Sequence, residues 1–165
     1  MSISDLTWIL AIDPGETCGF SLVEFGHPAV RGSGAAFISP IAMSFWEYSE
    51  VAIPRFSTYL RRLLLSYMPS KLDCVVVEDY RVYAAMAAWH IGQKLITPML
   101  IGAIIAVCAL LEPSIPVVLI PAVKKGLWPD AKIKAHYPWL LKEASSEHMK
   151  DALKLALTYI EGKYL

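Results

Sequence analysis

The spacing of hydrophobic residues changes several times along the chain, and each change predicts a secondary-structure element. Short apolar runs rich in β-branched residues predict strands, whereas apolar residues three and four apart predict helices. The predicted strands cover residues 7–12, 18–25, 30–38, 72–77 and 116–120. The predicted helices cover residues 43–68, 84–95, 98–111, 146–164 and a short stretch at 121–126. This order predicts a single α/β domain over residues 1–165, with a five-stranded mixed sheet flanked by helices.

The apolar segment 95–111 is the one place where a membrane helix needs to be considered. A spanning helix requires about 20 largely apolar residues. Pro98 breaks the segment near its start, and Glu112 and Pro113 close it just short of that length. We therefore expect no membrane span, but a helix buried in the core or at a homodimer interface.

Net charge limits the ways in which this protein can bind nucleic acid. The chain has 15 Lys and Arg residues against 15 Asp and Glu residues, for a formal net charge of +0. A protein that coats nucleic acid through bulk charge is normally basic. Any contact with DNA must therefore be local.

The cysteines and the first residues indicate a cellular compartment. Cys18, Cys74 and Cys108 are far apart and lie among apolar residues, which is typical of buried thiols in a reducing environment. The first residues lack the basic and apolar regions of a secretory signal. We expect a cytoplasmic protein.

Three acidic residues lie at the ends of hydrophobic elements instead of on a solvated face. Asp13 and Glu78 each follow a predicted buried strand, and Asp151 lies in the first turns of the last helix. Acids at neighbouring strand ends meet at one rim of a sheet, where their repulsion favours a bound cation. Carboxylate oxygens select hard ions such as Mg²⁺, and two such ions about 3.5–4 Å apart can support phosphodiester hydrolysis.

His148 lies three residues before Asp151, so both side chains leave the same face of the last helix. An imidazole there can ligate a metal, orient a water molecule or shuttle a proton. Each feature alone also has a structural explanation: Asp13-Pro14-Gly15 as a turn, Glu78 as a polar strand end, and His148 and Asp151 as first-turn residues. It is their combination that favours an active site.

Three segments together resemble the RuvC family of Holliday-junction resolvases. Residues 12–20 read IDPGETCGF, residues 75–80 read VVVEDY, and residues 148–152 read HMKDA. The segments EDYRVY at 78–83, GAI at 102–104 and PAVKK at 121–125 resemble the phage-type branch of that family. The resemblance implies an RNase H-like fold with an acidic site supplied by the first strand, the fourth strand and the C-terminal helix.

By this resemblance, Asp13, Glu78 and Asp151 correspond to metal-binding carboxylates, and His148 to a position that carries either histidine or a further acid. The implied activity is that of an endonuclease with two Mg²⁺ ions, for which Mn²⁺ is the alternative. It would act as a homodimer on branched DNA such as four-way junctions and leave 5′-phosphate ends. The implied location is the cytoplasm of a bacterium or a phage-infected host.

DNA contacts are expected around the acidic rim. Side chains directly after Glu78 can stack on a base or pair with a phosphate, and a pair of lysines after the fifth strand forms a second basic patch. The predicted DNA-contacting residues are Tyr80, Arg81, Tyr83, Lys124 and Lys125.

Two other functions remain open from the sequence. A related nuclease of the YqgF type would act on structured RNA, and a degenerate domain would bind nucleic acid without cleaving it. An actin-like ATPase is disfavoured because it needs a second domain and further glycine-rich loops. Retention of all four candidate site residues favours an enzyme over a binding module.

Overall fold

The computed structural model describes residues 6–26, 37–47, 52–66, 72–81 and 95–164. Its strands are β1 (Leu6–Asp13), β2 (Thr17–Gly26), β3 (Phe37–Glu47), β4 (Leu72–Asp79) and β5 (Val117–Pro121). Its α-helices are α1 (Ala52–Ser66), α2 (Ile96–Ala109), α3 (Asp130–His136), α4 (Pro138–Glu143) and α5 (Glu147–Tyr164), and a 3₁₀ helix (Ala122–Leu127) follows β5.

The five strands form one mixed sheet in the order β3-β2-β1-β4-β5. β1 is antiparallel to β2 and parallel to β4; β3 pairs antiparallel with β2, and β5 pairs parallel with β4. The central strands β1 and β4 are continuous apolar runs because helices cover both of their faces. The predicted α/β fold with a five-stranded mixed sheet is confirmed.

Alternate residues of the central strands separate the core into two layers. Ile9 and Ala11 of β1 are buried on the face covered by α3, α4 and α5. Leu10 and Ile12 are buried on the opposite face, against α1 and α2. Side chains alternate between the two faces along a strand. A residue at the end of β1 therefore points to the same face as Ile9 and Ala11 if its number is odd, and to the opposite face if it is even.

The structure corrects the prediction for residues 30–68. Residues 43–47 belong to β3, where Met43 pairs with Ser21, so the helix predicted at 43–68 begins only at Ala52 and ends at Ser66. Of the strand predicted at 30–38, residues 37 and 38 begin β3, and residues 30–36 lie outside the described part. Pairing with β2 overrides the helix-compatible composition of this segment.

The remaining predicted elements agree with the structure where it describes them. The strands at 7–12, 18–25, 72–77 and 116–120 and the helices at 98–111, 121–126 and 146–164 are present with small changes at their ends. The helix predicted at 84–95 lies outside the described residues except for its last position. Helices α3 and α4 were not predicted because seven and six residues are too few to show a helical period.

Helix α2 accounts for the apolar segment that suggested a membrane span. It has 14 residues, and its buried side chains include Leu100, Ile104 and Cys108. Within the ranges that the structure describes, no helix is long and apolar enough to cross a bilayer. All three cysteines are buried and unbonded to one another, as predicted.

Candidate active site

The parallel pairing of β1 and β4 brings two carboxylates to one edge of the sheet. Asp13 is the last residue of β1, and Glu78 follows Val77, which pairs with Ile12. Because parallel strands end at the same edge, both acids lie there. In each strand, the acid also belongs to the alternate set of residues whose side chains point to the face covered by α5.

A glycine in β2 allows α5 to approach this edge. Gly19 pairs with Asp13, and a Cβ at Gly19 would overlap the backbone carbonyl of His148. The Ser146 hydroxyl accepts a hydrogen bond from the Met149 amide at 3.2 Å, which satisfies a free N–H in the first turn of α5. The first turn of α5 is therefore held against β2 beside Asp13.

His148 and Asp13 are in direct contact as a result. His148 Nδ1 lies 3.3 Å from Asp13 Oδ2. Asp13 is buried, whereas about half of the His148 side chain is exposed to solvent. The imidazole therefore has one ring nitrogen beside a buried carboxylate and an accessible outer side.

Lys125 is the residue that connects the three acids. Its Nζ lies 2.6 Å from Glu78 Oε2, 3.1 Å from Asp13 Oδ1 and 3.2 Å from Asp151 Oδ2. Sequence reasoning assigned this lysine only to DNA contact. Its position near the acids follows from the strand pairing, which the sequence analysis did not use. Because β5 runs parallel to β4, residues just after β5 reach the same edge of the sheet as Glu78.

Burial and mutual contact change the proton affinities at the site. Burial, with a hydrogen bond to Asp13, raises the pKa of Glu78 to about 7, although Lys125 opposes part of that rise. Burial lowers the pKa of Lys125, but its contacts with Glu78 and Asp13 outweigh this and raise that pKa overall. Burial raises the pKa of Asp151, yet Lys125 and Lys154 reverse this and hold that pKa below its ordinary value.

The donor chemistry of the site fits a divalent cation. Three carboxylates and one imidazole offer the oxygen and nitrogen donors that Mg²⁺ and Mn²⁺ use. In the described conformation, however, no three His, Cys, Asp or Glu side chains of the described residues are placed to hold one ion together. The Lys125 ammonium lies between the carboxylates instead.

The other predicted DNA-contacting residues have different surroundings. Arg81 is largely exposed and its Nε lies 2.9 Å from Asp79 Oδ2. Tyr80 is partly buried against the core layer that contains α1 and α2. Lys124 is exposed on the 3₁₀ helix, where its backbone carbonyl accepts a hydrogen bond from Thr158 Oγ1 at 3.2 Å. Tyr83 lies outside the described residues.

Comparison with known proteins identifies the fold. No model of a known protein family and no curated protein sequence matches this chain. Among solved structures, RuvC from Thermus thermophilus matches with a TM-score of 0.69 at 17% identity, covering 96% of this chain and 98% of that one. The same protein in complex with a Holliday junction substrate gives a TM-score of 0.67 at 17% identity, covering 96% and 97% of the two chains.

A third solved structure, the yeast mitochondrial Holliday junction resolvase Ydc2, matches with a TM-score of 0.56 at 14% identity, covering 93% of this chain and 78% of that one. At these identities the likeness establishes the architecture. The chain has the RuvC-type, RNase H-like fold, which confirms the fold that the sequence resemblance implied.

Proposed function

We propose that this protein is a metal-dependent endonuclease that cleaves branched DNA such as four-way junctions. The observation that carries the proposal is the convergence of Asp13, Glu78, His148 and Asp151 at one edge of the sheet, around Lys125. The fold is shared with RuvC, which has been solved in complex with a Holliday junction substrate.

Asp13, Glu78, Asp151 and His148 are the residues that would hold Mg²⁺ or Mn²⁺. A bound divalent ion would supply charge neutralisation and water activation for phosphodiester hydrolysis. The buried Asp13 carboxylate orients the His148 ring through the Nδ1 contact, which leaves the outer side of the imidazole for solvent or substrate. In this position His148 would orient a water molecule or accept its proton.

DNA binding is assigned to cationic and aromatic side chains close in sequence to the site residues. Arg81 follows the Glu78 strand end, and Lys124 neighbours Lys125 on the 3₁₀ helix. Both are exposed and available for phosphate oxygens. Tyr80 and Tyr83 are proposed to stack on bases exposed at the branch point.

A homodimer is part of the proposal because symmetrical cleavage of a four-way junction requires two equivalent sites. Helix α2 and β5 present the apolar surface for it. Ile105 and Leu119 are each about two-fifths exposed, and both line one apolar depression between α2 and β5. Leu110, just after α2, is more than four-fifths exposed. These side chains form the proposed surface for a second copy.

The test is cleavage of a labelled, immobile four-way junction in Mg²⁺, beside matched duplex, single-stranded DNA and structured RNA. We expect paired nicks near the branch with 5′-phosphate ends, absent in EDTA and with Asp13→Asn or Asp151→Asn. Both variants should retain junction binding, and thermal melting must show that each is folded. Cleavage of RNA alone would indicate a YqgF-type nuclease instead of a junction endonuclease. Binding without cleavage of any substrate would indicate a non-catalytic module.

A further inference from the structure

We propose that Lys125 is a built-in counter-ion of the acidic site, and that a divalent cation binds there only by displacing the Lys125 ammonium. This inference rests on the proposed function as a metal-dependent nuclease and concerns how that site is loaded. It assigns to Lys125 a role in metal binding that is separate from contact with DNA.

The contacts of Lys125 are those that a bound cation would need. Its Nζ makes ion pairs with oxygens from three separate elements: Asp13 of β1, Glu78 of β4 and Asp151 of α5. The longest of these three distances is 3.2 Å. With the ammonium group between them, the three carboxylates are not placed to hold one ion together, and they would have to close on a metal after the ammonium group has left. Occupancy by the lysine and by the metal is therefore mutually exclusive.

Repulsion between the three carboxylates explains why a cationic side chain such as Lys125 is needed at this position. Three carboxylates in this small, partly buried region repel one another, and that repulsion destabilises the fold unless a cation compensates for it. Lys154 provides a second positive charge, but its Nζ is shared between Asp151 and Asp130 at 3.1 Å each. Within the described residues, Lys125 is the lysine that reaches Asp13 and Glu78. The metal-free protein thus depends on Lys125 for neutralisation.

The ammonium group of Lys125 can move away from the carboxylates while the backbone that carries it stays in place. The 3₁₀ helix that carries Lys125 is tied to α5 by the hydrogen bond from Thr158 to the Lys124 carbonyl. The lysine side chain has a flexible four-carbon stem, so its head group can leave while the helix stays in place. The three ion pairs must break when a metal binds, and this lowers the net affinity of the site for the metal.

The first experiment measures Mn²⁺ and Mg²⁺ binding to the DNA-free, full-length protein by isothermal titration calorimetry, with Lys125→Met and Lys125→Arg as a matched pair. We expect Lys125→Met to bind about tenfold more tightly than the wild type, a difference of about 1.4 kcal/mol, which is the size expected for breaking three partly exposed ion pairs. Lys125→Arg keeps the charge and should bind about as weakly as the wild type. Equal or weaker metal binding by a folded Lys125→Met protein would overturn the proposal.

A second measurement uses the wild-type protein and so does not depend on the folding of a variant. An amine-acylating reagent should modify Lys125 slowly in the metal-free protein and several times faster once Mn²⁺ is added, as read by peptide mass spectrometry. Lys134, which is exposed on α3, serves as the internal reference. A Lys125 rate that stays constant or falls as Mn²⁺ saturates the site would contradict displacement.

These readouts separate this proposal from the proposed function. If the wild type binds the cation and cleaves the junction but Lys125 neither gains reactivity nor weakens metal binding, only the counter-ion proposal fails. If calorimetry detects no divalent cation on the wild type or on Lys125→Met, and no junction is cleaved, the metal-nuclease proposal fails as well.

Discussion

Gly19 and His148 are in backbone contact, because the carbonyl of His148 lies where a Cβ on Gly19 would be. Gly19 is also the residue that pairs with Asp13 across β1 and β2. The absence of a side chain at this position therefore sets the distance between the sheet and the first turn of α5. It brings the His148 ring to 3.3 Å from the Asp13 carboxylate.

Gly19→Ala should therefore destabilise the protein and disturb the site together. A methyl group that meets backbone cannot be accommodated by a rotamer change, so we expect a loss of about 3 kcal/mol in the free energy of unfolding, the upper part of the range for overpacking. Chemical denaturation gives this value, and junction cleavage should fall with it.

The control for this substitution is Gly102→Ala in the exposed part of α2, where an added Cβ meets no atom of the described residues within 4 Å. Replacing glycine by alanine inside a helix should stabilise the protein by about 0.5–1 kcal/mol. Equal effects of the two substitutions would show that the contact between Gly19 and His148 is not a constraint.

Asp13 and Glu78 could be predicted as candidate site residues because each one interrupts a strong apolar pattern. Asp13 is the last residue of β1 and Glu78 the penultimate residue of β4; both strands are buried on both faces, and their parallel pairing brings the two acids together. Lys125 could not be assigned in the same way, because its place depends on which strand pairs with β5. The second half of β3, residues 43–47, was predicted as helix for a similar reason: its apolar residues suit a helix equally well, and only pairing with β2 decides between them.

The stability of the metal-free protein should fall as the pH rises from about 4.5 to about 7. Asp13 and Lys125 face Glu78, whose pKa is raised from 4.5 to about 7 by burial and by the hydrogen bond with Asp13. A carboxyl group with a raised pKa binds its proton more tightly in the folded state. Its contribution is fully present below the unfolded pKa and is lost as the pH rises through the folded one.

Denaturant titrations in EDTA across this pH range measure the effect, and Glu78→Gln is the matched variant. The variant carries no titratable proton at this position, so its free energy of unfolding should change less than that of the wild type between these pH values. Parallel curves for the two proteins would contradict the raised pKa.

Helix α2 should carry the dimer contact, and charging it should produce a monomer. Ile105→Lys places an ammonium group in the apolar depression shared with Leu119, where burial against a second copy would strip its water. We expect a dimer for the wild type and a monomer for this variant in analytical ultracentrifugation at micromolar concentration. Leu65→Lys, at a similarly exposed position on α1, should leave the dimer intact. A monomeric wild type would exclude this interface.

Arg81 should contribute one phosphate contact to junction binding. Its side chain is 64% exposed while its Nε contacts Asp79, so the guanidinium is oriented next to the Glu78 strand end and remains open to solvent. Each phosphate neutralised by a protein cation releases bound counter-ions, which makes the affinity depend on salt. Arg81→Gln should weaken binding to all junction sequences alike and reduce the slope of log affinity against log salt by about 1.

Fluorescence anisotropy in EDTA, at several KCl concentrations, measures both quantities without cleavage. Arg61→Gln removes the same charge from an exposed position on α1, a helix that packs on the opposite face of the sheet from α5, and should leave the slope unchanged. If both variants lower the slope equally, DNA binding depends on overall charge and the path of the DNA past Arg81 is wrong.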